Sequence, residues 1–315
     1  MQPENTAFLF PGQGSQSIGM GQKLAQQFTI ARETFEQANE ILGFQLSKLA
    51  WEGPATKLDD TINTQPALMV HSIAALRVFQ ETFQNFQPAY VAGHSMGELS
   101  ALVAAEILPF EEALNLARRR GELMKNADLI APGGMAAVLG LDIPTLDAIC
   151  FKASKDNEIV QVANDNCPGQ VVISGSKQAI ERAMEASRDA GAKKVVPLAI
   201  SIAAHSPLMA HAQEDFNKAV EAAPIQNPQI PLIGNVSAKP ITTAAEVRVD
   251  LQAQLRSRVR WTETIQYLRK KDIETFIEIG NKDILCGLVK RIDRKTKRFT
   301  LGTPEDFEKF EASFE

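Results

Sequence analysis

The chain has 315 residues, 44% apolar and 23% charged, the make-up of an ordinary globular protein with room for more than one folding unit. A formal net charge of −5 argues against a surface built for nucleic acid or an anionic membrane. Three scattered cysteines (Cys150, Cys167, Cys286) without a CxxC pair point to a reducing compartment and exclude a Cys-built zinc site, and no apolar run approaches the roughly 20 residues that span a bilayer.

The N-terminus carries no basic-then-apolar leader, so a cytoplasmic protein is expected. From there, short apolar runs alternate with longer helical patterns, the signature of an α/β fold. "TAFLF" (6–10) reads as a buried strand. A loop, "PGQGSQ" (11–16), follows it, and helical segments occupy 18–42. "TQPALMVHSIAALRVFQETF" (64–83) reads as an amphipathic helix, "PAYVAGHS" (88–95) as a strand, and 96–108 and 109–127 as two helices. The texture then changes. Strand 133–141, helix 143–155, two strands within 158–176, helix 177–192 and strand 193–200 give the order β-α-β-β-α-β of a ferredoxin-like unit. Beyond it the first pattern resumes: a helix over 208–223, a strand in "IPLIGNVSA" (230–238), helices over 247–257 and 262–271, a strand in "TFIEIG" (275–280) and a polar, helical end. The expected fold is a discontinuous α/β domain over 1–130 and 200–315 with a small α+β domain over 131–199 inserted in it.

The glycines of "PGQGSQ" raise the question of a phosphate loop. The Walker pattern needs Gly-Lys-Ser/Thr at its end, but the first lysine is Lys23, and the dinucleotide fingerprint needs Gly or Ala where Ser17 stands. Neither nucleotide reading survives. "GHSMG" (93–97), by contrast, follows a strand and precedes a helix, the context of a G-x-S-x-G nucleophile elbow that presents Ser95 beside a helix N-terminus. The competing reading is a simple helix cap.

A serine nucleophile needs a base. Of four histidines, His94 adjoins Ser95 and should point to the other side, His71 falls inside a helix, and His211 lies within the helix at 208–223. His205, in "AAHSPLM", sits where an apolar run gives way to a loop, which makes it the candidate. No Asp or Glu stands out as its orienting partner, so a carbonyl could serve instead.

These residues resemble the malonyl-CoA:acyl carrier protein transacylases of fatty-acid synthesis and the acyltransferase domains of polyketide synthases. The likeness rests on "FPGQGSQ", "GHSMGE", "RRRGELM", "NDNCPGQVVISG", "AAHSPLM", "GNVSA", "QLRSRVRW" and "GLVKRI", in that order along nearly the whole chain. It implies an α/β-hydrolase-like core with a parallel sheet and a ferredoxin-like insert. It also implies a ping-pong transfer of malonyl from malonyl-CoA, through an ester on Ser95, to the phosphopantetheine thiol of holo acyl carrier protein. His205 would act as base, Gln254 would lend the carbonyl that orients it, and Arg120 would bind the malonyl carboxylate. The N–H groups of Gln13 and Met96 would form the oxyanion hole. Asn164, Asn166 and Gln170 are secondary candidates beside the cleft, though their Asn/Pro/Gly setting is also ordinary hairpin chemistry. Lys193 and Lys194 would dock the acidic carrier. No metal or permanently bound cofactor is implied, and a monomer is expected.

Two places depart from the family pattern. The usual "GPG" is replaced by Gly280-Asn281-Lys282, and "IAA" (202–204) precedes His205, which leaves a methylmalonyl or other extender unit open. The alternatives are a trans-acting polyketide acyltransferase and an acyl-thioester hydrolase on the same scaffold.

Overall fold

The computed structural model describes residues 2–200 and 202–313. Its strands, in chain order, are β1 (Thr6–Phe10), β2 (Tyr90–Gly93), β3 (Gly133–Leu139), β4 (Val160–Cys167), β5 (Gln170–Ser176), β6 (Lys194–Pro197), β7 (Leu232–Ile233), β8 (Pro240–Ile241), β9 (Thr275–Ile279) and β10 (Lys297–Leu301). They form two sheets. The larger has the order β10-β9-β1-β2-β7-β8, parallel except for the terminal β7–β8 pair. The smaller has the order β4-β5-β3-β6 and is antiparallel throughout.

β1 shows why the first sheet needs two covered faces. Phe8 and Phe10 enter one core with the helix Thr61–Thr82, while Ala7 and Leu9 enter another with the helix Trp261–Lys270. A strand buried on both sides carries apolar residues without alternation, as "TAFLF" does. The smaller sheet packs one face on its own helices, Ile143–Ala153 and Lys177–Asp189. Its other face, through Met135, Ala163 and Val172, meets Leu198, Ile200 and Ala204.

The structure corrects several expectations. The helix expected over 64–83 begins three residues earlier, at Thr61, where the Asp60 side chain accepts from Ile62 N. It is also buried on all sides through its middle rather than amphipathic, because it runs between the sheet and the helix Phe110–Ile130. Pro66 denies Ile62 O its helical partner, and Arg118 Nη1 donates to that oxygen instead (3.2 Å). The helix expected over 96–108 stops at Ala104, and the chain turns back through Glu106 at φ +57°. The strand over 193–200 is shorter, Lys194–Pro197, and its last residues bend over the site described next. β8 and β10 were not expected. β8 is only two residues long, and β10 lies in the end of the chain expected to be polar and helical.

Candidate active site

Ser95 stands on the turn from β2 into the helix Gly97–Ala104 at φ +53°, a conformation that side chains rarely adopt. Glycines make the turn possible. A Cβ on Gly93 would lie 2.1 Å from the carbonyl of Gly97, and one on Gly97 would lie 2.1 Å from Phe10 O. Asn235, just past β7, locks the turn: its Oδ1 accepts from Ser95 N (2.8 Å) and its Nδ2 donates to Gly93 O (2.8 Å). Its own N–H donates to the buried Glu98 (3.0 Å). Burial, and then the charge of Asp250, push the Glu98 carboxyl well above the usual carboxylate range.

Ser95 Oγ lies 2.8 Å from His205 Nε2. On the other side of the ring, Nδ1 faces two backbone carbonyls, Gln254 O at 2.9 Å and Ser257 O at 3.1 Å. Two acceptors there keep the proton on Nδ1 and leave the Nε2 lone pair facing the serine hydroxyl. The carbonyls take the place of a triad carboxylate. His205 is itself held at φ +57°, and Gln161 Nε2 donates to its carbonyl (2.7 Å). Burial first, then the positive charge of Arg120, push the imidazole down to about 3, so the ring is neutral at physiological pH.

Arg120 is 2% exposed. The helix Phe110–Ile130 brings it inward while Arg119 and Arg118, about 100° and 200° back around the helix, pair with Glu122 nearer the surface. Gly121 allows the close approach, since a Cβ there would lie 2.7 Å from Thr61 O. The guanidinium donates to Gln65 Oε1 (2.8 Å), to Gln254 Oε1 (2.9 and 3.2 Å) and to Ser95 Oγ (3.1 Å). All are neutral acceptors. Glu98 acts on it only through charge, its oxygens being bonded to Asn235 and Gln254, and burial lowers Arg120 to about 10. A buried cation supplied with amide and hydroxyl oxygens, beside a serine–histidine pair, suits an anionic ligand group.

These residues line a cavity of about 510 Å³. Its walls include Gln13 and Gly14 of the first loop, Asn164 and Asn166 of β4, and an apolar side of Met124, Met135, Val172 and Ile200. Gly12 must be glycine, because a Cβ there would lie 2.4 Å from His94 O. Among the described residues, neither the Gln13 N–H nor the Met96 N–H has a hydrogen-bond acceptor. His94 also faces the cavity rather than away from it, with Nε2 2.8 Å from Asn166 Oδ1. Gln170 stands apart, at the start of β5 against Arg291. Lys193 and Lys194 lie exposed at the start of β6. Asn235, Gln65, Gln161 and Glu98 were missed as site residues. "GNVSA" and "GHSMGE" contained two of them, but nothing local marks Gln65 or Gln161.

The fold and site together define a class: a hydrolase-like α/β sheet with a serine on a strand–helix elbow, paired to a histidine. The comparisons place the chain within it. Residues 7–297 match the acyl transferase domain family, and the chain belongs to that family. It is 44% identical to the malonyl CoA-acyl carrier protein transacylase of Bacillus subtilis over 302 residues, 96% of this chain and 95% of the relative. Among solved structures, an acyl carrier protein S-malonyltransferase from Vibrio cholerae superposes with a TM-score of 0.94 at 39% identity, covering 97% of this chain and 99% of the other. A malonyl-transacylase in complex with a type II PKS acyl-carrier protein gives a TM-score of 0.93, also at 39% identity, over 96% and 98% of the two chains.

Proposed function

We propose that this protein moves a malonyl group from malonyl-CoA to the phosphopantetheine thiol of acyl carrier protein. The observation that carries the reading is Arg120: a buried guanidinium with only neutral acceptors, 3.1 Å from the serine hydroxyl. Of the acyl groups a cell carries as thioesters, one with a free carboxylate supplies the missing charge. The small cavity and the identity to malonyl transacylases favour malonyl among them.

In the first half-reaction Ser95 Oγ attacks the thioester carbonyl carbon as its proton passes to His205 Nε2. The carbonyl oxygen becomes an oxyanion facing the N–H groups of Gln13 and Met96. Collapse breaks the C–S bond, and the departing sulfur takes the proton from His205, leaving malonyl-Ser95 and free CoA. In the second, the carrier thiol gives its proton to His205 and its sulfur attacks the ester. The C–Oγ bond breaks and the proton returns to Ser95. Gln254 supports both steps, its backbone carbonyl on His205 and its side chain on Arg120. Asn166 holds His94 at the cavity wall, and Asn164 lines the same wall. The carrier docks on Lys193 and Lys194, and the parts over 1–130 with 200–315 and over 131–199 act as two domains with the cavity between them. Water is the competing acceptor throughout, and the protein is read as a cytoplasmic enzyme.

Incubation with malonyl-CoA should add one malonyl mass, located on Ser95 by peptide mass spectrometry, and holo acyl carrier protein should then remove it as malonyl-carrier. Release as free malonate would make the protein a hydrolase. No adduct with any acyl-CoA would overturn the reading.

A further inference from the structure

The loop that carries Gln13 is held from both sides. On one, Thr61 Oγ1 donates to Gln13 Oε1 (3.0 Å) and Gln16 Nε2 donates to Asp59 (3.0 Å). On the other, the turn after β9 reaches across more than 260 residues of chain. Asn281 Nδ2 donates to Ser15 O (2.6 Å) and Ser17 Oγ (2.8 Å), and Lys282 Nζ donates to Gln16 O (2.9 Å) and Gly14 O (3.4 Å). Three successive carbonyls, 14 to 16, are thus taken by two side chains. Gly280 packs this turn onto the loop's first residue, since a Cβ there would lie 2.8 Å from Pro11 Cγ and 2.6 Å from Ser72 Oγ.

We propose that Asn281 and Lys282 are positioning residues that aim the Gln13 N–H at the reacting carbonyl oxygen. The path is short. Asn281 fixes the Ser15 carbonyl, and the Ser15 hydroxyl donates to Gly12 O (2.6 Å). Gly12 C=O and Gln13 N–H belong to one planar peptide, so holding the carbonyl in one direction turns the N–H in the opposite one. Lys282 occupies φ +68°, a left-handed conformation that is unfavourable for a residue with a Cβ. Strain of this kind persists where surrounding contacts over-determine it, and here those contacts run to the oxyanion loop.

This inference rests on the proposed acyl transfer, and the test separates the two. Asn281→Ala should slow burst-phase acylation of Ser95 by malonyl-CoA roughly tenfold, less than the 10²–10³ lost when an oxyanion donor is deleted outright. Asn281→Asp, which sets a carboxylate against two oxygens, should slow it more. Lys282→Met should slow it about threefold, a share of the same effect. In all three, KM for malonyl-CoA should stay within about twofold of wild type, as expected when only transition-state contacts are lost. Amide exchange should quicken in residues 12–17 and nowhere else. Wild-type acylation rates in the Asn281 variants, a rise in KM alone, or faster exchange across the whole fold would each overturn the proposal. If the wild-type protein itself forms no malonyl-Ser95, the functional reading fails, and loop exchange alone decides the clamp.

Discussion

Ser95, His205 and Arg120 form one electrostatic unit. In the proposed reaction Arg120 would stabilise an incoming carboxylate, yet its charge also opposes protonation of His205, the proposed acceptor of the serine proton. A carboxylate seated on the guanidinium would cancel much of that opposition, so the right substrate would raise the basicity of its own catalyst. Arg120→Met should therefore do two things. Acylation by malonyl-CoA should fall ~100-fold, the equivalent of about 3 kcal/mol for a charge-assisted hydrogen-bonded pair, and the preference over acetyl-CoA should vanish. The acid limb of the free-enzyme pH profile should also move. As the proposed base, His205 would work when neutral, and in the intact site burial and then Arg120 push its pKa down to about 3. Removing the cation raises that pKa, so activity should be lost at higher pH than in wild type. Measuring kcat/KM for malonyl-CoA against pH in both proteins checks this; an unmoved acid limb would detach Arg120 from His205.

The elements differ in how far the sequence discloses them. The elbow is legible because sterics dictate its residues: a strand can turn this sharply into a helix only if positions 93 and 97 lack a Cβ, and "GHSMG" states that locally. The smaller sheet is legible because its β-α-β-β-α-β order falls within one unbroken stretch of chain, with β4 and β5 paired across a short turn. Contacts made at long range are not. Asn235 and Ser95 meet across 140 positions, and Gln65 and Arg120 across 55, so no spacing or periodicity marks either pair. Arg120 stands out from its two neighbours only through the family resemblance, since three consecutive arginines on a helix look alike until burial is known. β10 escapes notice because an edge strand beginning Lys297-Arg298 has the composition of a solvated face. Two glycines test how steric the elbow is. Gly97→Ala sets a methyl against the backbone of Phe10 and Pro11, atoms that cannot move cheaply, and should cost on the order of 3 kcal/mol or prevent folding. Gly287, in the helix Ile284–Ile292 with open space around its Cβ direction, should gain about 0.5–1 kcal/mol as alanine. Denaturant titration of both variants decides it; equal shifts would remove the steric account.

At the scale of the whole molecule, the proposed function raises the problem of how a protein of net charge −5 would receive an acidic carrier. A local patch of opposite sign must do it, since the overall field repels. The proposed dock at Lys193 and Lys194 has the right position. β6 begins there, and four residues on, about 13 Å at the rise of an extended strand, the chain reaches Leu198 on the cavity wall. A carrier docked on the lysines would thus be one short strand away from the cavity wall. The ping-pong scheme makes this separable, because only the second half-reaction involves the carrier. Replacing both lysines with glutamate should leave acylation of Ser95 by malonyl-CoA at the wild-type rate. Transfer from malonyl-Ser95 to holo carrier should slow about tenfold at low ionic strength, the size expected when like charges face each other at an interface rim. Exposed charges are screened over ~3 Å in 1 M salt against ~30 Å in 10 mM, so wild type and variant should converge as salt rises. Rapid-quench measurement of each half-reaction across that range reads both effects. Equal loss in the two half-reactions, or a loss that salt does not erase, would move the docking site elsewhere.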